Sequence, residues 1–191
     1  ILFAEHYYPE LIPNISTCKS PMQMESAIVK TYYAKLFNYD PKDIICVAIM
    51  PCTAKKFEAK RPEMNASGGQ DTDYVLTTRE LGRMIKSAGI DFKNLEDSNF
   101  DNLLGSGAGT IFGATGGVME AALRYAADVL ENKDLDNFEY KAVRGLTGVK
   151  EASVTLAGLK LNVAVSHGLA NARKILQLIK DNPTKYHFVE I

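Results

Sequence analysis

At 191 residues, 46% hydrophobic and 24% charged, the chain has the make-up of an ordinary globular protein, one domain or two lobes sharing a core. A net charge of −1 gives no broad attraction to nucleic acid or to an anionic membrane, and no apolar run is long enough to span a bilayer. Three cysteines with no close pair, Cys18, Cys46 and Cys52, argue against a disulfide framework, a self-contained zinc site or a cluster held by four cysteines of this chain; they suit a reducing compartment, the cytoplasm.

Ile1 to Leu11 reads as the tail of a helix closed by Pro9 and Pro13, and His6 has no partner at metal-ligand spacing. Ser20, Pro21 and Gln23 form a capping-box pattern with proline at the first helical position. The helix should run to about Phe37, with Met24, Ile28, Tyr32 and Leu36 at i+4 spacing on one side. The Ser16–Ser20 turn would then be pinned at a helix N-terminus, which favours anions.

Ile44–Met50 is a continuous apolar run rich in β-branched residues, the pattern of a strand covered on both faces in a parallel sheet. Pro51 lacks an amide hydrogen and should end it. Cys52 then falls on the first turn after the strand's carboxyl end, where open α/β sheets bind ligands. Lys55 and Lys56 follow within reach, and a nearby ammonium favours thiolate over thiol.

Lys60 to Asp73 is polar and reads as a loop. Asp73 to Thr77 is a short strand, and Thr77 with Glu80 forms a second capping box opening a helix through Leu81, Met84, Ile85 and Ala88, with Gly89 as its C-terminal cap. Residues 90–104 read as a connection. Gly105–Gly117 is glycine-rich and precedes a helix with Val118, Ala121, Ala122, Tyr125 and Val129 on one face; glycines there let backbone amides meet a ligand. Alternation from Val154 to Val165 around Ala157-Gly158 predicts a β-hairpin. A helix follows His167-Gly168, with Leu169, Ala172, Leu176 and Ile179 inward, and Tyr186 to Ile191 is a last strand. The alternation of strands and helices makes the class α/β with mainly parallel sheet. Both ends read as cut, as in a fragment.

Three stretches in order resemble the catalytic domain of the iron-only (FeFe) hydrogenases: Ser16-Thr17-Cys18-Lys19-Ser20-Pro21 with Lys30-Thr31-Tyr32-Tyr33, then Met50-Pro51-Cys52-Thr53-Ala54-Lys55-Lys56-Phe57-Glu58, then the run Ile111 to Ala121. The resemblance covers essentially all 191 residues. It implies two lobes of mainly parallel sheet flanked by helices, approximately 1–100 and 101–191, with a cleft holding an H-cluster. That cofactor is a 4Fe–4S cubane joined through a cysteine sulfur to a diiron unit with CO and CN ligands. The reaction implied is reversible reduction of protons to dihydrogen, with ferredoxin or a similar carrier supplying electrons.

Position by position, the resemblance makes Cys52 a cubane ligand, gives Lys55 a hydrogen bond to a cyanide, and sets Met50 against the diiron unit beside Pro51. Ser16 would relay protons, Ser20 and Pro21 would lie near the diiron site, and Phe112 and Gly113 would line its cavity. Glu58 should pair with a neighbouring cation, and Cys18 and Cys46 should be structural. Met22 stands where the family commonly has glutamine. The family's first and last cysteine motifs are absent, so the chain alone should neither hold the cofactor nor evolve hydrogen without the remaining segments of the catalytic domain. Two rivals remain: a non-catalytic iron–sulfur assembly or hydrogen-sensing relative of the same fold, and a nucleotide-binding α/β module using Gly105–Gly117.

Overall fold

The computed structural model describes residues 1–99, 106–132, 141–142 and 148–191. The chain groups into two compact units, one of residues 15–99 and one of 1–14 with 100–191. The expected connection over 90–104 lies partly outside the described residues, as does Gly105 at the head of the glycine-rich run.

Helix α1 (Leu2–Tyr7) and a 3₁₀ turn, Pro9–Asn14, open the chain and belong to the second unit. The 15–99 unit begins with α2 (Pro21–Ile28), which widens into a π turn at Val29–Tyr33 and closes as α3 (Ala34–Leu36). Thr31 Oγ1 donates to the Ala27 carbonyl at 2.6 Å, a back-bond that accompanies the wide turn. The buried side is polar: Gln23, Ser26 and Lys30, with Met22 and Ala34. Thr72 Oγ1 donates to Ser26 Oγ at 2.8 Å, and the Lys30 ammonium meets Asp73 Oδ2 at 2.6 Å and the Gln70 carbonyl at 2.8 Å. These hydrogen bonds allow Ser26 and Lys30 to be buried, whereas Gln23 Nε2 is buried with no partner among the described residues. The side carrying Met24, Ile28, Tyr32 and Leu36 is the exposed one.

Strand β1 (Val47–Met50) is shorter than its apolar run, because Asp73 takes the place of a ladder partner ahead of it. Asp73 Oδ2 accepts from the Cys46 amide at 2.7 Å, and the Cys46 carbonyl accepts from the amides of Asp73 and Tyr74. Pairing is parallel with β2 (Tyr74–Thr77), in register from Val47↔Tyr74 to Met50↔Thr77. The expected burial of both faces is corrected. Ala48 and Met50 pack on Met22, Ala59 and Val75, while Ile45, Val47 and Ile49 stay 67%, 50% and 47% exposed. Helix α4 (Ala54–Glu58) follows β1, and α5 (Thr78–Ser87) follows β2 and ends at Gly89, whose φ of +69° suits a C-terminal cap.

In the second unit α6 (Gly107–Ile111) leads by a turn into α7 (Gly117–Glu131). Strands β3 (Lys141–Ala142), β4 (Val149–Leu156) and β5 (Leu159–Ser166), helix α8 (Leu169–Asp181) and β6 (Phe188–Glu190) complete it. The sheet order is β3-β4-β5-β6, antiparallel through the hairpin and parallel between β5 and β6. Ala157 and Gly158 both have positive φ, as a two-residue type I′ hairpin turn requires. Met119, Leu123 and Ala127 of α7 pack on one sheet face with Val154, Val163 and Val165. On the other face Ile175 of α8 packs with Val149 and Ala164. The strand buried on both faces is therefore β5. The expected α7 face is corrected too, since Tyr125 and Val129 are exposed. So is Leu169 of α8. The class is α/β, with helices on both faces of a mixed sheet in this unit.

Candidate functional site

β1 delivers Pro51, Cys52 and Thr53 to a turn ahead of α4, and the Cys52 side chain is exposed rather than packed inward. It borders a cavity of about 550 Å³, lined also by Pro51, Thr53, Thr77, Arg79 and Arg83. Thr77 is held by a complete capping box: Thr77 Oγ1 accepts from the Glu80 amide at 3.2 Å, and Glu80 Oε2 accepts from the Thr77 amide at 2.8 Å. Glu80, which also lines the cavity, meets the Lys56 ammonium at 2.7 Å. The Lys56 hydrogen bond and those with Thr77 lower its carboxyl to about 2. The negative group is thus already matched. Arg79 and Arg83, one turn apart on α5, have no carboxylate partner among the described residues. The cavity beside Cys52 favours an anionic occupant.

Lys55, three residues on, donates to Glu58 Oε2 at 2.8 Å, and the Ser20 hydroxyl donates to Glu58 Oε1. Two motif stretches far apart in sequence are joined at one carboxylate. The cation expected for Glu58 is Lys55 itself. The expected capping role of Ser20 is corrected: it stands at the N-cap of α2 without a side-chain cap bond, and Gln23 is buried against Thr72. Pro21 is exposed at the first helical position. Met50 packs against the cluster of Met22, Ala59 and Val75.

Lys19 meets Asp71 Oδ2 at 2.7 Å, and Asp71, fully buried, also accepts from the amides of Ser67 and Ala66. Burial pushes the Asp71 carboxyl up, but the Lys19 ammonium and the hydrogen bonds from Ser67 and Ala66 outweigh it and hold it below the usual range. Ser16 is exposed and accepts from the Cys18 amide at 3.1 Å; among the described residues no hydrogen bond joins it to Ser20, Glu58 or Lys55. Burial raises the Cys46 thiol.

In the other unit Phe112 is half-buried and Gly113 exposed, in the turn between α6 and α7. Gly116 has φ +89°, and a Cβ on Gly117 would lie 1.7 Å from the Ile111 carbonyl oxygen. At the start of α7 the Glu190 carboxylate accepts from the amides of Gly116 at 2.9 Å and Met119 at 2.8 Å. The chain's own carboxylate thus takes the amides that a nucleotide phosphate would need, which removes the basis of the nucleotide-binding reading.

Sequence reasoning missed Arg79, Arg83 and Glu190. The first two follow a cap residue at a strand's end, and the third is an acid inside an apolar terminal strand; both signals were present.

The family described as the C-terminal domain of the iron only hydrogenase large subunit matches residues 1–191. The periplasmic [Fe] hydrogenase large subunit of Nitratidesulfovibrio vulgaris is 52% identical over 190 residues, 98% of this chain and 45% of its own length. Iron hydrogenase 1 of Clostridium pasteurianum is 54% identical over 190 residues, 98% of this chain and 33% of its own length. A cytosolic Fe-S cluster assembly factor of Xenopus tropicalis is 32% identical over 200 residues, 100% of this chain and 42% of its own length. Among solved structures, an apo [FeFe]-hydrogenase of Chlamydomonas reinhardtii, in a variant form, superposes with a TM-score of 0.81 at 38% identity, covering 99% of this chain and 55% of that one. The chain therefore spans less than half the length of the curated relatives named.

Proposed function

The chain belongs to the family of iron-only hydrogenase C-terminal domains, and from that premise we propose that it is part of an FeFe hydrogenase reducing protons reversibly to dihydrogen at an H-cluster. The observation that carries the reading is the exposed Cys52 thiol beside a cavity lined by Arg79 and Arg83, with Lys55 on the next helical turn.

The donor set fits one corner of the cofactor. One accessible thiol faces a positive cavity, and among the described residues no three His, Cys, Asp or Glu side chains gather as a metal site. We therefore assign Cys52 as one cubane ligand and assign the remaining ligands to segments outside this chain. The apolar sides left open on α2 and β1 suit cover by those segments.

When bound, the group supplies the electron transfer and the site of proton reduction. The protein's part is positioning. An ammonium has three N–H donors, and Glu58 takes one of those on Lys55, leaving two for a cyanide ligand. Glu58 also holds Ser20, and so the entry to α2 at Pro21. Met50 and Met22 present thioethers that exclude water without competing for protons. The Ser16 hydroxyl can hold and pass a proton, and Phe112 and Gly113 would line the diiron cavity.

Electrons would come from ferredoxin or a similar carrier. No helix among the described residues is long and apolar enough to cross a membrane. The free thiols support the cytoplasm as compartment, although one relative is named periplasmic.

The test is hydrogen evolution by the full-length protein, purified without oxygen and supplied with reduced viologen. Activity lost in Cys52→Ser is expected. A protein that binds its cubane yet evolves no hydrogen would favour the second reading, iron–sulfur assembly, which the Xenopus relative supports. The isolated chain, given a synthetic diiron complex and a reconstituted cubane, should show no turnover; robust turnover would refute the assignment of ligands to outside segments.

A further inference from the structure

Glu190 ends β6, at the edge of the four-stranded sheet, and reaches 74 residues back to Gly116 and 71 back to Met119. The two amides it takes lie at the start of a 15-residue helix, where the helix dipole favours a negative charge. Charge-assisted hydrogen bonds of this kind are short and about twice as strong as neutral ones. The turn they hold is tightly determined. Gly116 lies in the left-handed region, the Gly117 amide donates to the Ala114 carbonyl at 2.8 Å, and the Ala114 amide donates to the Ile111 carbonyl at 3.2 Å. Gly117 leaves no room for a side chain against the Ile111 carbonyl. Phe112 and Gly113 sit inside this turn.

We propose that Glu190 is a positioning residue: its carboxylate, anchored by the β5–β6 pairing, sets the Phe112–Gly117 turn and so the place of Phe112 and Gly113, the two residues assigned above to the cofactor. The cofactor role rests on the hydrogenase reading above. The hold on the turn does not. β6 is fixed by parallel pairing from Val163↔Phe188 to Val165↔Glu190, so the carboxylate is tied to β5, the strand buried on both faces. Glu190 thereby converts strand register into the position of a loop.

The experiment uses the full-length protein and Glu190→Gln, which keeps one acceptor oxygen and loses the charge. Hydrogen exchange at the Gly116 and Met119 amides should accelerate about tenfold or more, as one charge-assisted bond is lost. In the cofactor-loaded protein the infrared carbonyl and cyanide bands should shift while the thermal midpoint changes little. Exchange unchanged in a folded variant overturns the proposal. Exchange that rises with the bands unmoved overturns it as well, because the turn would then be held for packing alone. If Glu190→Gln does not fold, Glu190→Asp, which keeps the charge on a shorter arm, is read by the same two criteria. A wild-type protein without such bands fails the hydrogenase reading, and the exchange result still decides whether Glu190 holds the turn.

Discussion

The Ser20 hydroxyl donates to Glu58, 38 residues along the chain, and the other oxygen of the same carboxylate accepts from Lys55. The turn before α2 and the helix after Cys52 are therefore coupled through one group. Ser20→Ala and Glu58→Ala should each destabilise the protein by at least about 1 kcal/mol, the net contribution of a typical hydrogen bond. Their effects should not add. A double-mutant cycle in chemical denaturation should return a coupling near 1 kcal/mol, and strict additivity would show that the two groups do not interact in solution.

Asp71 gives a pH dependence with a fixed sign. Its folded carboxyl titrates below the usual range, so the stability it contributes is fully present above the unfolded value of about 3.9. That stability is lost as pH falls through the folded value. Asp71→Asn should cost about 2 kcal/mol at pH 7 and progressively less below pH 4. Urea midpoints measured from pH 3 to pH 7 check this; a gap between wild type and variant that stays constant with pH would count against it.

The three thiols should react in a definite order. Cys18 and Cys52 are exposed, whereas Cys46 is partly buried and its thiol is raised by burial and by the nearby Asp73 carboxylate. Alkylation of the cofactor-free chain by iodoacetamide at pH 7.5, followed by peptide mass spectrometry, should modify Cys52 and Cys18 several-fold faster than Cys46. Equal rates would contradict the placement of Cys46.

Arg79 and Arg83 should act on the charge of whatever Cys52 holds. Neutralising both, Arg79→Gln with Arg83→Gln, should lower the midpoint potential of a cubane at Cys52 by roughly 20–50 mV, since positive charge favours the more reduced, more negative form. An EPR-monitored titration of the full-length protein reads this directly. A potential that does not move would mean that the guanidiniums are turned to solvent in the assembled site.

Local signals were legible in the sequence. The capping box at Thr77 and Glu80 and the hairpin turn at Ala157 and Gly158 each depend on residues a few positions apart, and both form as read. Helix faces were harder. On α2 the i+4 apolar side lies outward because partners 40 to 49 residues away, Gln70 and Thr72, draw Lys30, Ser26 and Gln23 inward. On α7 two apolar stripes compete, and the sheet selects Met119, Leu123 and Ala127. The turn carrying Cys52 was readable from a strand stopped by proline. Links such as Ser20 to Glu58 and Glu190 to Gly116 were not, since nothing in either residue's neighbourhood specifies a distant partner.

The missing space at Gly117 ties distant parts of the chain to a single hydrogen atom. A methyl group there has to push away the Ile111 carbonyl, and the α7 start that Glu190 grips would move with it. Damage from so small a lesion would travel through the Glu190 carboxylate to β6, far along the polypeptide from where it was made.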